Sequence, residues 1–247
     1  MKIFLDTKVK EINRLDFIVD DPICIPKRYK LKQDVEITAF WTAMLAWGQR
    51  VTIINKCTEL FALMGDSPYE FIVEHTEKDR KRFEHFKHRT FQYTDTLYFL
   101  EFLQNHYRAS SSMETLFSGH DDQKSGLIAF HEHFFDSPVA PQRTRKHVAT
   151  PARKSTCKRL NMFMRWMVRK DESKVDFGLW KNIKPAQLMM PLDVHVERVG
   201  RQLGLLQRKQ RDWRAVEELT AALRELDPVD PVKYDYALFG LGVKGEL

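Results

Sequence analysis

The sixteen residues PLDVHVERVGRQLGLL (191–206) decide the fold class. Val196, Val199 and Leu203 recur at intervals of three and four, which puts them on one stripe of an α-helix rather than on one face of a strand. Pro191 stands at the head of the pattern, where its fixed φ and missing N–H suit a first helical turn. The same periodicity continues outward on both sides. Downstream, Asp212 caps DWRAVEELTAALREL, and a last helix is predicted from about Pro231 to Phe239, stopped by Gly240-Leu-Gly242. Upstream, Ser155 or Thr156 starts a helix through about Arg169, and Ser125 to Phe135 and Thr94 to Tyr107 read as amphipathic helices. Ser67-Pro68 is an N-cap followed by a first-turn proline, and Val51 to Leu63 forms a helix ended by Met64-Gly65. Asp34 reads as the cap of a helix through Trp47 with Gly48 as its stop, and residues 2–18 carry Leu5, Val9, Ile12 and Leu15 at helical spacing. The intervening DDPICIPKRY (20–29) and the proline-containing basic segment 136–151 are loops. No stretch alternates with period two, and there is no internal repeat. The expected class is all-α.

Composition sets the outer limits. A chain of 247 residues can bury a full core, as one large domain or two intimate lobes. Its 43% hydrophobic and 30% charged residues are ordinary for a globular protein and too apolar for disorder. With 10 Gly and 10 Pro, long loops and many-turned β folds are disfavoured. No apolar run reaches the roughly 18–20 residues of a membrane helix, and the first residues hold no signal-peptide core, so the expected location is the cytoplasm, without a membrane partner. Cys24, Cys57 and Cys157 are far apart, and nothing like C-x-x-C occurs. Neither a zinc site nor an iron–sulfur cluster finds its ligands, and no cofactor or metal is expected.

Charge is the first functional pointer. The net charge of +6 is modest, but its distribution is not. Between Pro141 and Lys170 stand Arg143, Arg145, Lys146, Arg153, Lys154, Lys158, Arg159, Arg165, Arg169 and Lys170, with no acidic residue among them. Such a run repels itself unless a polyanion lies near, so phosphate or nucleic acid is weighed against a plain solvated face.

Two local patterns could carry chemistry. In Pro191-Leu-Asp-Val-His195, a helix start beside Asp193 stabilises a carboxylate against the positive end of the helix. A plain helix cap is the alternative for Asp193, and a hydrogen-bonded structural histidine the alternative for His195. In Ser155-Thr-Cys-Lys-Arg-Leu-Asn-Met-Phe-Met-Arg-Trp-Met167, Lys158 sits near a helix start among Arg153, Lys154 and Arg159. That setting disfavours the ammonium and suits an amine nucleophile, while a simple phosphate contact is the other reading. Met162, Phe163, Trp166 and Met167 read as core.

Together, a lysine at one helix start and an Asp opening a later helix after a proline resemble the helix-hairpin-helix DNA glycosylase superfamily. The 35-residue separation of Lys158 and Asp193 is closer to its archaeal 8-oxoguanine glycosylase branch than to the endonuclease III branch. Phe40-Trp-Thr-Ala-Met-Leu-Ala-Trp-Gly-Gln-Arg50, running on to Asn55-Lys56, is similar to the early helix, turn and helix of endonuclease III. Tyr236-Ala-Leu-Phe-Gly-Leu-Gly242 looks like the helix before that family's cluster cysteines. Pro26-Lys-Arg-Tyr29, Ala46-Trp-Gly48, His88-Arg-Thr90, Lys158-Arg-Leu-Asn161 and Pro191-Leu-Asp-Val-His195 also resemble an uncharacterised bacterial family of the superfamily. Two features depart from the common pattern. Thr150-Pro-Ala-Arg-Lys154 stands where a glycine-rich hairpin would, and the cluster cysteines are missing.

The resemblance implies a two-lobed all-α fold with a cleft between lobes, lobe A being 1–45 plus 175–247 and lobe B 46–174. It implies a monomeric DNA glycosylase with AP lyase activity, removing a damaged base, such as an oxidised purine, from duplex DNA. Lys158 would be the nucleophile and Asp193 the electrostatic and proton-transfer partner. Gln49 would fill the vacated stack beside Arg50, and Arg153, Lys154 and Arg159 would neutralise phosphates. The rival expectation is a non-catalytic nucleic-acid-binding protein that keeps the fold, and a third is a helical protein–protein scaffold.

Overall fold

A computed structural model of the chain describes residues 1–16, 18–65, 67–245 and 247. Its α-helices are α1 (Lys2–Ile12), α2 (Lys32–Leu45), α3 (Arg50–Ala62), α4 (Pro68–Glu74), α5 (Glu77–Arg80), α6 (Tyr93–Ala109), α7 (Gln123–Phe134), α8 (Lys158–Val168), α9 (Val194–Gln202), α10 (Trp213–Leu226) and α11 (Tyr234–Lys244). Short 3-10 turns join several of them. Among the described residues there is no strand, only an isolated antiparallel bridge between His88 and Phe91, so the protein is all-α. No helix among those residues is long and apolar enough to cross a membrane. Helix α1 stops at Ile12, short of the expected residue 18; Leu15 is exposed and Phe17 lies outside the described residues.

The chain divides into two compact units. One holds Met1–Val19, His120–Ile128 and Ala149–Leu247; the other holds Asp20–Gly119 and Ala129–Val148. These are not the lobe boundaries expected from the resemblance. Helix α2 goes with the middle of the chain, and residues 149–174 go with the terminal helices. The reason lies in α2 itself. All twelve residues from Asp34 to Leu45 are buried, and a helix enclosed on every side is the centre of its own unit. Phe40 packs against Phe99, Phe130 and Phe134, with ring centroids 5.7, 5.9 and 6.3 Å away.

Burying α2 also buries its acids, and each finds partners. Glu36 is fully enclosed and accepts hydrogen bonds from the Tyr107 hydroxyl (2.9 Å), the Ser112 hydroxyl (2.5 Å) and the Met113 amide (3.0 Å). Asp34 is not the cap of α2, which already starts at Lys32. Its carboxylate accepts from the Tyr69 amide at 2.7 Å, so it caps α4 from a distance, while Ser67 makes no side-chain cap.

In the unit that contains both chain ends, α11 packs on α1 and on α9. The glycines expected to stop α11 instead lie inside it, because they are where its neighbours come closest. A Cβ on Gly240 would meet Ile12 Cγ1 at 2.7 Å, and one on Gly242 would meet His195 Cβ at 2.8 Å and the His195 carbonyl oxygen at 3.2 Å. The helix ends later, at Gly245, in the left-handed conformation. Helix α10 starts as expected, with the Asp212 carboxylate accepting from the Ala215 amide at 3.2 Å.

Candidate functional site

Lys158 is the first residue of α8, two or three residues later than Ser155 or Thr156 would have started it. The Ser155 hydroxyl accepts from the Cys157 amide at 3.2 Å, a tight local turn that competes with helix. Before it, the Thr150 hydroxyl caps a 3-10 turn over Pro151–Arg153 by accepting from the Ala152 amide. Lys154 (φ 61°) and Cys157 (φ 49°) are both left-handed, so side-chain-bearing residues make the reversals ahead of α8. Each such residue costs on the order of 1 kcal/mol. The Lys154 carbonyl accepts from the Trp213 amide at 3.1 Å, which ties the turn to the head of α10.

Asp193 is the N-cap of α9, not a first-turn residue, because Pro191 and Leu192 lie ahead of the helix. Its Oδ1 accepts from the amides of His195 (2.9 Å) and Val196 (3.0 Å). Its Oδ2 lies 3.9 Å from Lys158 Nζ. The two side chains are 28% and 21% exposed, so the pair is reachable from solvent yet partly desolvated. Lys158 Nζ also lies 3.6 Å from Met162 Sδ, one turn along α8. The plain cap and the functional carboxylate are thus not exclusive readings: one oxygen makes the cap and the other faces the ammonium.

Below this pair, α8 is buried from Leu160 to Val168, and Phe163, Trp166 and Met167 are core as expected. Arg165 and Arg169 are core as well. Arg165 pairs with Asp235 and, at 3.3 Å, with Asp176. Arg169 pairs with Asp176 (2.5 Å), Asp230 (2.9 Å) and Asp171 (3.1 Å). The Tyr236 ring lies 4.3 Å from the Arg165 guanidinium and 5.5 Å from that of Arg169. Burial pushes the Asp235 carboxyl up to about 6; Arg165 opposes that rise, Asp193 adds to it and Lys158 opposes it. Asp235 is therefore within electrostatic reach of the Lys158–Asp193 pair.

The basic stretch consequently splits into parts with different roles. The acids that answer Arg165 and Arg169 come from outside the 141–170 window, which is why the sequence run looked unopposed. Arg143 donates to Gln92 Oε1 (2.8 Å) and the Thr90 carbonyl (3.0 Å), and Arg145 lies over the Phe135 ring at 4.8 Å. Lys146, Arg153, Lys154 and Lys170 are exposed. Arg159 is half-buried, and burial lowers its guanidinium to about 10.

Among the anticipated site residues, Lys158, Asp193, Arg153, Lys154 and Arg159 fall in one unit. Gln49 and Arg50 fall in the other. Gln49 is exposed at the head of α3, after Gly48 at φ 106°, whose Cβ position is covered by the Arg89 side chain. His195 makes an edge contact with Phe239 at 6.0 Å, and no group of three His, Cys, Asp or Glu among the described residues could hold a metal. Sequence reasoning missed the buried amides Asn161 and Gln123 behind the pair, and also Asp235. A polar Asn one turn after Lys158, between the apolar Leu160 and Met162, was the available signal.

Fold and site define an all-α protein in which a lysine and an aspartate, each at a helix start, share one partly exposed position. The chain belongs to the family described as protein of unknown function DUF2400, which it matches over residues 21–244. No curated protein and no solved structure matches it.

Proposed function

We propose that this protein is a DNA glycosylase with AP lyase activity, of the helix-hairpin-helix type, acting on damaged duplex DNA as a cytoplasmic monomer. The observation that carries the reading is the approach of Lys158 Nζ to within 3.9 Å of Asp193 Oδ2 from positions 35 residues apart. A sugar C1′ cannot be reached inside the base stack, so the damaged nucleotide would be turned out of it, which costs a few kcal/mol and least for a lesion. The Lys158 ammonium would first pass a proton to Asp193 Oδ2. The amine so freed would form a bond to C1′ as the C1′–base bond breaks, the base leaving with the electron pair and taking up that proton. The lysine nitrogen would then release a further proton, and Asp193 Oδ2 is the acceptor in reach. The same carboxylate would stabilise positive charge on the sugar. Opening of the sugar gives a Schiff base, and loss of a 2′ proton then expels the 3′ phosphate.

Phosphate contacts fall to Arg153, Lys154 and Arg159 in this reading, helped by the start of α8, which has no side-chain cap on its amides. Borohydride trapping on duplexes that each carry one oxidised, deaminated or alkylated base, or an abasic site, tests the proposal. A covalent adduct that Lys158→Ala abolishes is expected. Absence of an adduct on every duplex, with salt-sensitive binding that ignores the lesion, overturns it in favour of a non-catalytic binder.

A further inference from the structure

We propose that Asn161 is the positioning residue of the Lys158–Asp193 pair, its single carboxamide joining the segment before α8 to the segment before α9. For catalysis this rests on the function proposed above; for position it rests on hydrogen bonds alone.

Lys158 and Asp193 both follow irregular backbone, residues 154–157 and 188–192, which no helical or sheet ladder fixes. Buried backbone groups in such segments need partners from side chains. Asn161 Nδ2 donates to the Thr156 carbonyl at 3.1 Å and to the Met190 carbonyl at 3.3 Å. Thr156 lies two residues before Lys158, and Met190 three before Asp193. The Asn161 Oδ1 accepts from Gln123 Nε2 at 2.7 Å, and Gln123 Oε1 accepts from the Met189 amide at 3.0 Å. Asn161 is fully buried and Gln123 is 6% exposed, so solvent hardly reaches the two carboxamides.

Both amide protons and the oxygen of Asn161 are in use, which fixes the orientation of the group. Flipping it would set its oxygen against two carbonyls and its NH₂ against that of Gln123. One planar side chain thereby sets the spacing between the two segments, while Lys158 stands one turn back on the same helix. Thr220 provides a contrast. Its hydroxyl accepts from the Met190 amide at 3.1 Å and donates to the Val216 carbonyl at 2.6 Å. Its hydrogen bonds anchor the same segment to α10 and involve no residue of α8.

Competitive acylation of the lysines of the whole protein with a succinimidyl ester, read by peptide mass spectrometry, reports how Lys158 is held. Asp193→Asn sets the scale, with an expected change in Lys158 labelling of roughly two- to fivefold, the range of a partly exposed ion pair. Asn161→Ala is expected to reproduce that change while distant lysines keep their rates. Thr220→Val is expected to leave Lys158 at the wild-type rate. The proposal is overturned by no change in Asp193→Asn, by a wild-type rate in Asn161→Ala, or by an equal change in Thr220→Val. If Asn161→Ala does not fold, Gln123→Ala removes the group that orients Asn161 and carries the same expectations. On duplex DNA with one abasic site, Asn161→Ala should slow adduct trapping roughly tenfold to a hundredfold at unchanged DNA affinity, the cost of a slightly misplaced reactive group. Labelling as expected with no adduct from the wild type removes the glycosylase reading and leaves the positioning role standing.

Discussion

Asp193 uses its two oxygens differently, and two substitutions separate the uses. Asparagine keeps an oxygen for the His195 and Val196 amides but removes the charge; alanine removes both. Asp193→Asn is expected to keep stability and DNA affinity and to lose turnover. Asp193→Ala is expected to lose about 1 kcal/mol of stability as well, the usual worth of an N-cap. Urea denaturation beside single-turnover trapping distinguishes them, and an active Asp193→Asn would relegate the residue to a cap. Asp235 carries a pH dependence of its own. Its carboxyl titrates near 6 in the folded protein against an ordinary 3.8, because it is buried. An acid raised in this way binds a proton on folding. Its stabilising contribution is therefore full below about pH 3.8 and is lost as pH rises through 6. The urea midpoint of the wild type, taken relative to Asp235→Asn, should fall between pH 4 and pH 7. A flat or rising difference refutes this.

Helix ends were the least legible elements, and the physical reasons differ. Helix α8 begins late because Ser155 folds its hydroxyl back on the chain, and α9 begins late because Pro191 and Leu192 lie outside it. Helix α11 runs on because its glycines serve close packing, which composition alone does not distinguish from a stop signal. The starts of α4 and α10, by contrast, could be read from Pro68 and Asp212, whose chemistry is local, although the side chain that caps α4 is the distant Asp34. The Lys158 and Asp193 positions were visible as motifs. The buried amide chain behind them was not, since Gln123 and Met189 become neighbours only through the fold. At Gly242 the packing makes a definite forecast. Adding a methyl group against the His195 backbone should destabilise the protein by roughly 1–3 kcal/mol, as overpacking generally does. A thermal midpoint equal to the wild type for Gly242→Ala would show that α9 and α11 have room to spare.

On the scale of the whole molecule, charge matters by where it stands. The net +6 includes Arg165 and Arg169, which are held by internal carboxylates and are closed to any partner. If duplex DNA is the partner, Arg153→Ala and Lys154→Ala should each flatten the slope of log affinity against log salt by about one. Fluorescence anisotropy across a salt series reads this directly. An unchanged slope in both would move the phosphate contacts elsewhere. Arg169→Gln should instead act on stability, by roughly 3–5 kcal/mol, because its buried carboxylate partners lose their counter-charge.

The pairing of α1 with α11 joins residues at opposite ends of the sequence. Contacts between such distant residues form late, since the whole intervening loop must close first. As the chain emerges from the ribosome, the unit built mainly from residues 20–119 has most of its partners long before α11, on which α1 packs, is made. The face of α1 that meets α11 stays uncovered until residues 234–244 have been made. Limited proteolysis of nascent chains would see this as cleavage near the N-terminus that persists until the last helix appears.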